Sequence, residues 1–145
     1  MQFLEKLKPL ALLLLRFGLG VIFISHGYPK LFSHAQQWLG NFSHMGFPPY
    51  FSYISGVLEF FGGLLLLAGL FTQFAGLLLA LEMAIAIWRV HLPQGPILEV
   101  SNYQFPLALL VGAFALAALG AGSISLDHLI YGSRGKAPRR PKEKR

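Results

Sequence analysis

Four apolar stretches, roughly 10–24, 51–71, 74–90 and 105–121, occupy most of this chain of 145 residues. With short polar extensions each approaches the ~20 residues that a helix needs to cross ~30 Å of hydrocarbon. Charged residues make up only 12% of the sequence, against about 25% in soluble domains. The expected fold is therefore an all-α membrane protein, a four-transmembrane-helix bundle with spans at about 9–30, 51–71, 74–91 and 104–121. The loop 32–50 carries Trp38, Leu39, Phe42 and Met45 at three- to four-residue spacing, which predicts a short interfacial helix in the first outer loop. The turn at 71–74 is so short that spans two and three must form an antiparallel hairpin. Small residues at fourth-residue spacing, Gly76, Ala80 and Ala84 and then Ala113, Ala117 and Ala121, predict close backbone packing, with Gly62, Gly63 and Gly69 serving it on span two.

The net charge of +6 is unevenly placed. Residues 134–145 hold seven bases and one acid, so the rest of the chain is neutral. The basic excess is a tail, expected at 132–145 to be disordered and cytoplasmic, and it argues against a nucleic-acid face. Beside a span it predicts attraction to anionic lipid. With Lys6 and Lys8 before the first span it places both termini in the cytoplasm of a bacterial-type inner membrane by the positive-inside rule. Residues 1–131 then form one transmembrane domain. Arg16 interrupts the apolar core of what would otherwise imitate a signal peptide, so the first helix is read as retained. No cysteine is present, which excludes disulfides, thiol relays and iron–sulfur ligation by this chain alone. Ser125 and Asp127 read as capping residues for a short terminal helix.

Three ionisable residues lie inside the apolar runs: Arg16, Glu59 and Glu82. Each costs at least ~2.5–3.5 kcal/mol in hydrocarbon unless it is paired or faces a cavity. Helical spacing aligns Arg16, Gly20, Phe23, Gly27 and Lys30 on span one, Ser52, Ser55, Glu59 and Gly62 on span two, and Ala75, Glu82, Ala86 and Arg89 on span three. The glutamates fall near the midplane, with His26, Lys30, Arg89 and His91 toward the outer end. Two readings follow from these residues. One is a structural network that fixes helix register. The other is a polar pocket in which a protonated carboxyl donates a hydrogen bond to a carbonyl such as a quinone's, or passes protons. His26, His91 and Glu99 lack metal-ligand spacing, so no metal is expected. Trp38, Trp88, Tyr50, Tyr53 and Tyr103 read as an aromatic belt.

The string Arg16-x3-Gly20-x2-Phe23-x2-His26-Gly27-x2-Lys30-Leu31-Phe32 resembles the first span of DoxX-type membrane proteins. Gly46-Phe47-Pro48, Leu58-Glu59-Phe60-Phe61-Gly62-Gly63-Leu64, Gly69-Leu70-Phe71-Thr72, His91-Leu92-Pro93-Gln94-Gly95 and the run from Leu119 to Asp127 extend the resemblance over about residues 10–131. It implies a four-helix inner-membrane protein linked to membrane redox complexes, including a quinone-reducing thiosulfate oxidoreductase, or to oxidative-stress assemblies with soluble enzymes. Gln73 stands where the family carries an arginine, which predicts weaker anchoring between that turn and Asp127.

Taken together, these readings predict a membrane subunit that binds a quinone or a similar lipid-soluble ligand through Glu59 and Glu82. Arg16 and Arg89 would hold the carboxylates, and His26, Lys30 and His91 would shape the outer mouth. It would be at most an accessory subunit of a quinone-linked oxidoreductase, since no self-contained catalytic motif is present. Expected partners are membrane lipid, a soluble or membrane redox protein and a second copy of the chain. The alternatives are a proton-coupled small-molecule carrier or efflux component and a non-catalytic membrane assembly factor.

Overall fold

A computed structural model describes residues 1–132, so all but the first residue of the 132–145 tail lies outside the described residues. The described residues form helices and connections, with no strand among them. A short α1, Gln2–Lys6, leads into α2, Lys8–Tyr28, whose Pro9 is tolerated in the first turn. A π turn, Pro29–Ser33, prolongs α2. It begins at a proline, which has no N–H to return to the preceding helical ladder. The short helix expected in the first long loop is present as α3, Ala35–His44. After the turn at Gly46 come α4, Phe51–Ala68, and α5, Thr72–Ala86, the latter prolonged by a second π turn, Ile87–His91, and a 3₁₀ turn, Leu92–Gln94. The last apolar helix is α6, Gln104–Leu119, followed by the short α7, Leu126–Tyr131.

Three helical runs, Lys8–Ser33, Phe51–Ala68 and Thr72–Gln94, are long and apolar enough to cross a membrane. The fourth, α6, has 16 residues and reaches about 24 Å at ~1.5 Å per residue. It stops before the expected 121 because Gly120 turns to a positive φ of 79°.

α2 lies along α4, α5 lies along α6, and α4 meets α5. All four contribute to one core: Leu19 and Phe23 of α2, Leu66 of α4, Leu79 and Met83 of α5, and Leu109, Ala113 and Leu116 of α6. Large apolar side chains such as Leu14, Phe61, Phe74, Leu81 and Phe114 point outward. In water such a surface would be an aggregation liability, whereas hydrocarbon accommodates it.

The small residues set the spacing between helices. Gly76 faces the backbone of Ala113 and Ala117, as expected for the α5–α6 contact, and Ala80 is buried, although Ala84, the last member of the stripe, is exposed. Gly27 is the tightest point between α2 and α4, where an added Cβ would stand 2.5 Å from the Phe60 nitrogen. Gly27→Ala should therefore destabilise the bundle by ~1–3 kcal/mol, as overpacking does. Gly18 has no neighbour within 4 Å of its would-be Cβ, so Gly18→Ala should be neutral or stabilise by up to ~1 kcal/mol through helix propensity. Unfolding of the two variants side by side in detergent checks both expectations.

Gly69 is also a point of close packing, since an added Cβ would stand 2.5 Å from Arg16 Nη2 and 2.6 Å from Ser125 Cβ, and it has a second role. At φ 68° it is the left-handed C-cap of α4, with Leu70 N–H donating to the Leu65 carbonyl at 3.0 Å and Gly69 N–H to Leu66 at 3.2 Å, a Schellman arrangement. The following Phe71 also has a positive φ, 49°. That conformation is costly for a bulky residue and is held from across the fold. Phe71 N–H and Thr72 N–H donate to the two carboxylate oxygens of Asp127 at 2.8 and 3.0 Å, and Asp127 N–H donates to the Gly69 carbonyl at 2.8 Å. Ser125 caps α7 as expected, accepting from His128 N–H, whereas the Asp127 side chain caps α5. The anchoring of the turn to Asp127 thus exists without an arginine at position 73, because backbone amides supply the donors.

Candidate functional site

α2 and α4 cross closely at Gly27 and Gly56, and this brings the start of the first π turn against the face of α4. Lys30 is buried there, with Nζ 2.6 Å from Glu59 Oε2 and 2.8 Å from Ser55 Oγ. Ser55, one turn before Glu59 on α4, donates its hydroxyl to Glu82 Oε1 of α5 at 2.5 Å. Four side chains from three helices therefore form one chain of hydrogen bonds: Glu59, Lys30, Ser55 and Glu82.

An ammonium has three donors, and two of them are spent on Glu59 and Ser55. The remaining side of Lys30 is covered by α3, with Nζ 5.2 Å from the Trp38 ring centroid and 5.7 Å from that of Phe42. These distances are within the range of cation–π attraction. Trp38 and Phe42, four residues apart on one face of α3, act as the cover of the cluster.

The cluster holds one cation and two carboxyls. Glu82 Oε2 is fully covered and has no hydrogen-bond partner among the described residues. Ser52 Oγ, on the buried stripe of α4 that also carries Glu59, is likewise covered and unpartnered among the described residues. Buried polar atoms without partners are rare. π turns are frequent at functional sites, and one carries Lys30 while the other begins five residues after Glu82.

The structure brings together Glu59, Glu82 and Lys30 from the predicted residues and adds Ser55, Trp38 and Phe42. It does not bring the two arginines to the carboxylates. Arg16, almost wholly buried, donates to four carbonyls: Nε to Leu66 at 3.0 Å, Nη2 to Leu67 at 3.1 Å, and Nη1 to Ala121 at 3.0 Å and Ile124 at 2.6 Å. It closes the C-terminus of α4, where carbonyls lack helical partners and carry partial negative charge. Arg89 lies over aromatic rings, its Cζ 5.6 Å from the Phe47 centroid and 5.7 Å from that of Trp88. The second π turn is the physical reason. Its i→i+5 bonds shift residues beyond Ala86 out of the 3.6-residue phase that had aligned Arg89 with Glu82.

His26 and His91 each turn back on their own helix, with Nδ1 2.9 Å from the Ile22 carbonyl and 3.0 Å from the Ala86 carbonyl. The His26 ring also packs on Phe105, with centroids 5.4 Å apart. Two clefts lie at the ends of the bundle. One, of about 470 Å³, is lined by Phe71, Thr72, Gln73, Phe74, Asp127 and Tyr131, and the other, of about 410 Å³, by Asn41, His44, Arg89 and Gln94 among others. Neither is lined by Glu59 or Glu82.

The sequence profile of the DoxX family, described as "DoxX", matches residues 11–92, the segment that carries Arg16, Lys30, Glu59 and Glu82. The chain belongs to the DoxX family. Among curated DoxX-like relatives, "Putative oxidoreductase CatD" of Bacillus subtilis is 34% identical over 119 residues, covering 82% of this chain and 86% of that protein. An "Uncharacterized protein" of Haemophilus influenzae is 33% identical over 139 residues, 90% of this chain and 98% of its own. "Inner membrane protein YqjF" of Escherichia coli is 27% identical over 129 residues, 88% of this chain and 97% of its own. No solved structure matches this DoxX protein significantly.

Proposed function

We propose that this DoxX protein is an inner-membrane subunit, with both termini cytoplasmic, that binds a lipid-soluble ligand of the quinone class and supports a membrane redox or oxidative-stress complex. One observation carries the reading: Glu82 presents a covered, unpartnered oxygen at the end of a hydrogen-bonded chain whose only cation is already paired with Glu59. In an apolar bundle, two carboxyls beside one ammonium reach neutrality with one proton held on the carboxyls. A carboxyl holding that proton donates to a ligand carbonyl, and the chain through Ser55 and Lys30 redistributes the charge when the proton leaves. Reduction of a quinone needs two electrons and two protons. These residues handle only the protons, so the electrons come from a redox partner. The printed name of the Bacillus subtilis relative, an oxidoreductase, agrees in class.

The test is purification in mild detergent followed by mass spectrometry of extracted small molecules, with Glu82→Leu, which removes the donor, alongside. The expected result is a quinone-class molecule near one per protein that falls at least ~5-fold in the variant, because a buried ligand carbonyl left without its donor costs ~1–3 kcal/mol. Phospholipid alone, unchanged by the substitution, would sink the ligand reading. It would favour the non-catalytic assembly factor, a reading supported by the way Lys30, Ser55 and Glu59 already satisfy one another.

A further inference from the structure

Arg89 is not used by the proton-holding cluster, and its surroundings differ from those of Arg16. Its guanidinium lies against the Phe47 and Trp88 rings, yet its N–H groups have no carboxylate or carbonyl acceptor among the described residues. Contact with ring faces consumes none of a guanidinium's N–H donors, which stay available for a forked contact. These donors border the cleft of about 410 Å³ between α3 and the end of the Thr72–Gln94 run. The other polar side chains of that cleft are Asn41, His44 and Gln94. Each supplies at least one N–H donor, and no acid is among the lining residues. The next acid along the chain, Glu99, has Oε2 3.5 Å from where a Gly95 Cβ would stand and is not part of the lining, nor is the preceding acid, Glu82.

Position adds a second constraint. Arg89 is five residues from the end of a bilayer-length helical run, beside the exposed Trp88. Tryptophan at a span end marks the headgroup level. The cleft thus combines an unpaired planar cation, several neutral donors and a location where phosphate groups are abundant.

We propose that this cleft is an oxyanion site that takes a phosphate or phosphodiester group, with Arg89 as the forked anchor and Asn41, His44 and Gln94 as supporting donors. The site is separate from the Lys30–Glu59–Ser55–Glu82 cluster and stands whether or not that cluster binds a quinone. The anion comes from a lipid headgroup or from a soluble phosphate compound, and the two sources are separable.

The full chain, purified in dodecyl maltoside, is followed by thermal unfolding in two titrations. One adds sodium phosphate against sodium chloride at equal ionic strength. The other adds phosphatidylglycerol against a phosphate-free galactolipid at equal mole fraction in mixed micelles. Arg89→Gln and Arg89→Lys are measured beside the wild type, so the basic residues at 134–145 contribute equally to all three. The expected result is a saturable rise in Tm for the wild type in at least one titration, as binding to the folded state requires. The half-saturating concentration should rise at least ~10-fold in Arg89→Gln, equivalent to ~1.4 kcal/mol, with Arg89→Lys between the two. A response to phosphatidylglycerol alone assigns the site to a lipid headgroup. A response to inorganic phosphate assigns it to a soluble compound. No saturable rise in either titration, or an unchanged one in Arg89→Gln, overturns the proposal. Should Arg89→Gln fail to fold, His44→Ala and Asn41→Ala serve in its place, and responses identical to wild type in both would overturn it equally.

Discussion

Replacing Arg16 by methionine should cost ~4–6 kcal/mol, a large share of the ~5–15 kcal/mol that folded domains usually have. The guanidinium donates to Leu66, Leu67, Ala121 and Ile124, and methionine fills part of its volume while donating to none of them. The Leu66 carbonyl keeps the Gly69 N–H, and each of the other carbonyls left without a partner costs ~1–3 kcal/mol, less than additively because neighbouring carbonyls can relax together. These four acceptors come from the end of α4 and from the segment joining α6 to α7, so their loss unties two distant parts of the chain at one place. Asp127 N–H on the Gly69 carbonyl and the Asp127 carboxylate on Phe71 and Thr72 would remain as the nearby tie. Arg16→Lys should recover less than half of the loss, since an ammonium has three donors and no planar fork. Denaturant titration in detergent, with membrane yield as a second readout, checks the pair. Wild-type stability in Arg16→Met would mean that the guanidinium does not hold this end together.

Lys30→Met should be nearly as severe, at ~3–5 kcal/mol, for a different reason. Lys30 and Glu59 are both buried and only 2.6 Å apart. Removing the cation leaves Glu59 facing an apolar bundle without compensation, which is where most of such a loss originates. The paired change Lys30→Met with Glu59→Met removes both charges and should recover much of the stability, with an interaction energy of ~1–3 kcal/mol in the double-mutant cycle. Glu82, which reaches Lys30 only through Ser55, should remain tolerated in the double variant. Additive losses in the cycle would show that the pair is not an energetic unit. The same cycle bears on function, because a cluster whose members mainly stabilise one another would lose ligand and stability together. A proton-handling Glu82 would lose ligand alone.

The helical class and the positions of the long runs were legible in the sequence because hydropathy is a local property. Bilayer-length apolar segments and the 71–74 turn allow little besides an antiparallel bundle. Local spacing also foretold α3, with Trp38 and Phe42 on one face, and the Ser125 cap of α7. Gly76 against Ala113 and Ala117 was readable for the same reason. The sequence also named three members of the polar cluster, Lys30, Glu59 and Glu82, since charges in apolar runs are conspicuous. Ser55 lay on the same predicted stripe as Glu59, and its position one turn before that acid was the available signal for its bridging role.

Who pairs with whom was not legible. A 3.6-residue count aligned Arg89 with Glu82, and Arg16 was expected to hold a carboxylate as well, yet Arg16 caps α4 and Arg89 lies over aromatic rings. The period of a helix assigns a residue to a face. It says nothing of how far a neighbouring helix is slid along its axis or rotated about it. The close approaches at Gly27 and Gly63 fix that slide for α2 against α4, placing Lys30, and not Arg16, beside Glu59. The π turns Pro29–Ser33 and Ile87–His91 then change the phase beyond them. The sequence by itself thus determined that this is an apolar helical bundle carrying buried charge. Tertiary structure alone decided which charges meet, because pairing depends on axial register and helical phase between segments, set by backbone contacts that no single segment contains.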